Sequence, residues 1–411
     1  MAPFPLPLAE MLGHWPSYLV YIAIGFSFGY VLEISGFGKS TKLAAQFYFK
    51  DLTVFKVMFT AIVVAMIGVF LATALGLLDY NLIWVNPTYL WPGIVGGLIM
   101  GVGFIVGGFC PGTSLVSAVT GKLDGMFFVG GVFFGIFLFG ESVGFFEDFW
   151  YSSFMGRFTL MDLFGVGAGV LVVGITIMAL VAFFFAEQAE KYIGGIKPAV
   201  FGKWRYGAAA SLVLVAALVL VIGQPTNADK WDAIEGEQQA RLDERAVYAS
   251  PAEILDRMED PKLSVQMIDV RSETDFNQFH TLDAIHVPLP EILDYADVMH
   301  AEPGNTLFVV MSNDEVNATE AWKTLVAESV PNVYILEGGV NNWLNTFSED
   351  EFQDTYRLVD YELGSLAYRF ESALGSRYPA ADPNADVFHN IEYTPVVEMQ
   401  VKRGPASGGC G

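Results

Sequence analysis

The sequence predicts an α-helical polytopic membrane domain with about six spans, an internal repeat and a broken half-helix, followed by a C-terminal α/β domain. Three observations carry this reading. Long apolar runs fill the first 223 of the 411 residues. Charge is divided unevenly: residues 1–223 hold 10 of the 22 Lys/Arg and 11 of the 45 Asp/Glu, leaving 12 and 34 for the remainder. Beyond residue 247, short β-branched runs alternate with helical stretches.

A helix rises about 1.5 Å per residue, so roughly 20 apolar residues cross the hydrocarbon layer. Six runs qualify: 15–34, 54–78, 90–106, 126–146, 161–186 and 207–222. Residues 1–14 contain no Lys or Arg, hence no basic region of a cleavable signal, and the first run is expected to be retained. The connections after runs one, three and five carry Lys39, Lys42 and Lys50, then Lys122, then Lys191, Lys197, Lys203 and Arg205; the opposite set carries Arg157. Positive charge favours the cytoplasmic side. The N-terminus and everything after Gln224 are therefore expected outside the inner membrane, in the periplasm of a Gram-negative cell.

A repeat appears at an offset of 72 residues. Gly25, Gly29, Gly36, Phe37, Thr41, Leu43 and Lys50 recur as Gly97, Gly101, Gly108, Phe109, Thr113, Leu115 and Lys122. Repeats of this kind build many transporters, with the substrate site where the two units meet. Gly38 stands at the place of Cys110.

The chemistry of this half concentrates at Gly107-Gly108-Phe109-Cys110-Pro111-Gly112-Thr113-Ser114. The glycines end the preceding span, and 113–120 is predicted as a short half-helix with Pro111 suited to its first turn. Cys110 then falls at or just before the helix N-terminus, whose partial positive charge attracts anions without Lys or Arg. A neutral thiol donates a weak hydrogen bond to an anionic sulfur. The alternative, a small hydrophobe packed into a helix kink, stays open on residue chemistry alone. Glu141 lies within the fourth run, either hydrogen-bonded to a neighbouring helix or coupling proton movement.

The segments Gly25-Phe-Ser-Phe-Gly-Tyr-Val-Leu-Glu33, Ser35-Gly-Phe-Gly-Lys-Ser40, Gly107 to Ser114 and Thr120-Gly-Lys-Leu-Asp-Gly125 resemble the sulfur-transport membrane proteins of the YeeE/YedE type, over roughly residues 15–185. That family includes thiosulfate importers whose cysteines pass the anion along by transient sulfur contacts. The resemblance implies a path past Gly36, Phe37, Gly38, Thr41 and Gly108 to Ser114, with thiosulfate or a related sulfur anion as substrate and the bilayer as surroundings. Of the family's pore cysteines, Cys110 alone has a match, and the spans are fewer than in full-length importers; both departures imply that a homodimer completes the pore.

After a polar linker, 224–247, Ser250-Pro251 starts a capped helix. Residues 265–270, 306–311 and 333–336 suit buried parallel strands, with a helix over 318–328. The segments Ile268-Asp269-Val270-Arg271, Phe279-His280 with Ala284 and Pro288, Val309-Val310-Met311-Ser312, and Leu336-Glu-Gly-Gly339 with Trp343 resemble a rhodanese domain, over 248–347. Active members carry a nucleophilic cysteine after the central strand, where this chain has Ser312. A hydroxyl carries no persulfide, and in Asn313-Asp314-Glu315 two carboxylates stand where an anion would bind. The loop is expected to be inactive in sulfur transfer, so no catalytic residue is assigned. Neither a metal nor a cofactor is called for, and the acidity of this half argues against nucleic acid. Residues 348–411 form an extension and a tail bearing Cys410, read either as incidental or as a sulfur carrier.

Two functions follow: import of a sulfur anion with an outer domain that binds, captures or regulates, or a membrane-anchored sulfur-handling protein using Cys410. The repeat and the broken helix favour the first, since an anchor needs neither.

Overall fold

The computed structural model describes residues 2–195, 204–371, 373, 375–388 and 390–400, and the chain divides after Gln224 into two compact units. In the first, a short α1 (Leu8–Leu12) precedes α2 (His14–Ile34), α3 (Ser40–Ala44), α4 (Thr53–Ala74), α5 (Leu90–Gly107), α6 (Pro111–Val119) and α7 (Leu123–Ser142). Then come α8 (Glu147–Trp150), α9 (Leu160–Phe164), α10 (Ala168–Tyr192) and α11 (Trp204–Ile222). Among the described residues, six regions are long and apolar enough to cross a bilayer, and they are built on α2, α4, α5, α7, α10 and α11. The fifth begins later than its apolar run suggests. Thr159 caps α9, and Gly165 in the left-handed region ends it before α10 starts.

The repeat is a structural one. α2 and α5 are each followed by a glycine in the left-handed region, Gly36 at φ +75° and Gly108 at φ +71°. A side chain there is strained, so both turns need glycine. Each turn leads into a short helix, α3 or α6. At nine residues α6 is about 14 Å long, half of the roughly 30 Å hydrocarbon thickness. It starts two residues earlier than the predicted 113–120, because Pro111 and Gly112 form its first turn.

Contacts within this unit sort its connections into two groups. Glu33 pairs with Lys122, Ser40 with Asp124, and the amide of Leu52 with Glu190, which joins the first, third and fifth connections at one end. At the other end Phe4 bridges Leu78, the Thr88 amide donates to Gly156, Arg157 to Asn81, and Gln224 to the Phe70 carbonyl. The N-terminal segment and Gln224 therefore share an end, opposite the Lys-bearing connections, as six crossings require. Lys197 and Lys203 lie outside the described residues.

The second unit begins with a helix. Residues expected as a linker hold α12 (Asn227–Asp243), whose N-terminus is closed by a reciprocal Thr226–Asp229 cap. Its Leu242 joins the core, Trp231 packs there, and Asn227 and Lys230 bond Glu328. The stretch is polar because one face of the helix is solvated. Hydrogen bonds from Thr226 pull the Asp229 carboxyl below its ordinary range.

The sheet contains β1 (Tyr248–Ala249), β2 (Ser264–Asp269), β3 (Ile285–His286), β4 (Thr306–Met311) and β5 (Val333–Leu336). All pairs are parallel, in the order β1-β5-β4-β2-β3. Alternate residues face opposite layers. Leu307, Val309 and Met311 meet α13 (Pro251–Met258) and later α17 (Gly339–Phe347) on one side. Phe308 and Val310 meet α15 (Ile292–Ala301) and α16 (Val316–Ala327) on the other, and α14 (Glu273–Gln278) follows β2 in the chain. The extension beyond residue 347, with α18 (Asp350–Tyr356) and α19 (Ala385–Phe388), completes the first layer through Leu366, Ala367, Tyr368, Phe370, Ala380, Ala381 and Val397. The buried Glu253 carboxylate accepts from the amides of Val396 and Val397, and Trp343 Nε1 donates to the Ala380 carbonyl at 2.7 Å.

Candidate functional site

Cys110 is the N-cap of α6. Its backbone is extended (φ −90°, ψ 165°), its Sγ accepts from the Thr113 amide at 3.5 Å, and its own amide donates to Thr113 Oγ1 at 3.1 Å. The sulfur also lies 3.3 Å from Thr113 Oγ1. The thiol is half-buried, so it remains reachable. Pro111 lacks the N–H that would be orphaned there, and Ser114 Oγ folds back to the Pro111 carbonyl at 2.7 Å. The result is a sulfur seated over the positive end of a short helix.

Small residues set the position of α6. A methyl group on Gly125 of α7 would fall 2.5 Å from Ser117 Oγ, and one on Gly107 would fall 2.4 Å from the Phe128 ring. Both glycines are thus close approaches. Phe37 and Phe109, each 1% exposed, share one cluster with Leu32, Leu43 and Val54. Gly108 packs on Ser40, where a methyl group would meet the Ser40 carbonyl at 3.1 Å. The two broken segments therefore meet, through the cluster that Phe37 and Phe109 share and through Ser40 against Gly108. Thr41 is exposed on α3, whereas its counterpart Thr113 is buried on α6.

Glu141 does not join them. It is exposed in the last turn of α7, 16 residues beyond Gly125 and hence roughly 24 Å along the axis. Its position in an apolar run suggested depth, but α7 ends at Ser142. Sequence reasoning missed the Glu33–Lys122 pair, at 2.9 Å, and the Ser40–Asp124 bond, at 2.7 Å, which tie the repeats together. The signals were a carboxylate ending an apolar span and a lysine in both repeats.

In the second unit, the loop after β4 is closed by its own side chains. Ser312, 2% exposed, donates from Oγ to the Asp314 carbonyl and accepts from the Ala318 amide. Asp314 Oδ1 accepts from the Val316 amide, and Asp314 Oδ2 is buried with no hydrogen-bond partner among the described residues. Glu315 turns away to Arg245 and the Gly338 amide. Its hydrogen bond pushes the Arg245 guanidinium still higher than usual. Asn313 bonds Arg271, Asp275 and the Gly364 carbonyl, so the extension lies across the loop. The amides of Val316 and Ala318 are thus occupied within the loop, and the Asp314 carboxylate stands beside them. Cys410 lies outside the described residues.

Comparison with known proteins gives two matches. Residues 35–235 match the family model described as Sulphur transport, and residues 250–346 match that of the Rhodanese-like domain. No curated protein and no solved structure matches the chain.

Proposed function

Since this chain joins a sulphur-transport domain of the YeeE/YedE type to a rhodanese-like domain, and so is a multi-pass membrane protein handling a sulfur anion, we propose that it imports thiosulfate or a close relative past Cys110. The observation that supports this most directly is the thiol at the N-cap of α6. A soft S–H and a helix dipole converge there without any fixed charge to trap the anion. Inward movement of a dianion against an inside-negative potential costs roughly 4.6 kcal/mol per 100 mV, so import needs a driving step such as consumption of the product inside. In this reading the rhodanese-like domain lies outside the membrane and captures or regulates rather than catalyses.

Purified full-length protein in proteoliposomes is expected to exchange labelled thiosulfate faster than empty vesicles; equal rates would remove the import reading. Reporter fusions at Gln224 and Lys197 should give opposite answers, and a cytoplasmic signal at Gln224 would reverse the placement of the domain.

Ser312 is also expected to leave the protein without thiosulfate:cyanide sulfurtransferase activity. Full-length protein should form no thiocyanate above background, and Ser312→Cys alone should not restore it while Asp314 remains. Robust turnover by a Cys410→Ser variant would overturn the inactive-loop reading.

A further inference from the structure

We propose that Lys122 is an anion-binding residue of the transport path and that Glu33 is its tethered competitor, displaced by divalent sulfur anions but not by monovalent ones. This rests on reading the membrane unit as a sulfur-anion importer.

The pair bridges the repeats. Glu33 lies in the last turn of α2, Lys122 immediately precedes α7, and the ammonium lies 2.9 Å from both carboxylate oxygens. It sits directly on Gly38, where a methyl group would fall 2.3 Å from Glu33 Oε2 and 2.8 Å from Lys122 Nζ. Gly38 is the counterpart of Cys110 in the repeat. Where the second repeat presents a thiol, the first therefore presents an ion pair, with no room for a side chain.

The start of α7 does not need this lysine. A cation before the first turn of α7 opposes the helix dipole, and Lys122 contributes no side-chain cap. The other nearby charged side chains have different partners: Lys42 donates to the Ser35 carbonyl, and Asp124 accepts from Ser40. The pair keeps 27% and 36% side-chain exposure, so a solute can reach it. Attraction to Lys122 scales with the charge of the anion, so a dianion gains about twice what a carboxylate or chloride gains at equal distance. A tethered carboxylate also acts at a fixed effective concentration in the millimolar range or above. Glu33 thus holds Lys122 against chloride and yields it to a dianion.

The test uses full-length wild type, Glu33→Gln, Lys122→Gln and Lys122→Arg, with thiosulfate, sulfate and chloride as probes. Thermal unfolding in detergent reads binding, and labelled thiosulfate uptake reads KM. Glu33→Gln should lower KM at least about threefold and let chloride compete, while Lys122→Gln should raise KM about tenfold and lose the thiosulfate-induced stabilisation. Lys122→Arg, which keeps the charge, should stay within about threefold of wild type. If both Gln variants lose the same stability while KM and anion response stay unchanged, the pair is structural and the proposal is overturned. A wild type that shows no uptake but a Lys122-dependent thiosulfate shift keeps the anion site and removes the import reading. A wild type that no anion stabilises overturns the site itself.

Discussion

Thiosulfate uptake is expected to fall to the level of empty vesicles when Cys110 is replaced by serine, although the fold is preserved or slightly improved. The structure makes this substitution unusually informative. Cys110 Sγ accepts from the Thr113 amide as an N-cap, and serine is among the best N-caps known, whereas alanine costs about 1 kcal/mol at such a position. If transport needs only a well-formed α6, Cys110→Ser should transport normally and Cys110→Ala should lose a little stability. If the sulfur guides a sulfur anion, both variants should lose uptake by tenfold or more, equivalent to about 1.4 kcal/mol, with thermal stability differing by only about 1 kcal/mol between them. Protection of Cys110 by thiosulfate against a small thiol reagent should accompany the loss. Normal uptake by the serine variant would leave the helix N-terminus, without its thiol, as the anion site.

The second large effect is expected from Gly339→Ala in the rhodanese-like domain. Gly339 has φ +62°, and a methyl group there would meet the carbonyl oxygens of Asp314, Ser312 and Asn313 at 2.3, 2.4 and 2.8 Å. The same loop is held by the Val340 amide on the Ser312 carbonyl and the Asn341 amide on the Asn313 carbonyl. A left-handed alanine costs about 1–2 kcal/mol, and displacing the loop sacrifices two hydrogen bonds of about 1 kcal/mol each. The domain should therefore lose about 3–4 kcal/mol, a fall in Tm of roughly 10 °C for a unit of this size. Gly364→Ala is the control. Its φ is +88°, but nothing lies within 4 Å of the added methyl, so only the backbone cost should appear. Equal losses in the two variants would show that the close approach at Gly339 is not what holds the loop.

Much of this protein is legible in its order of residues because the strongest signals are local. Apolar runs of bilayer length read as spans regardless of what they pack against. The 72-residue offset was visible because Gly36 and Gly108 must both adopt a backbone that other residues resist. The β4–loop–α16 segment was legible for a similar reason, since a fully buried parallel strand is β-branched and apolar throughout. Residues 227–243 read as a linker because a solvated helix with a single buried stripe is polar on average.

Residue type and order specified the six spans, the broken helix, the thiol at its start and the serine at position 312. Each depends on residue type and spacing within about 25 positions. Packing settled that Glu33 meets Lys122 over Gly38 and that the extension near Gly364 covers the Ser312 loop. Those outcomes join residues 51 to 89 positions apart. No local propensity encodes such distances; they are set by which helices the closed core leaves adjacent.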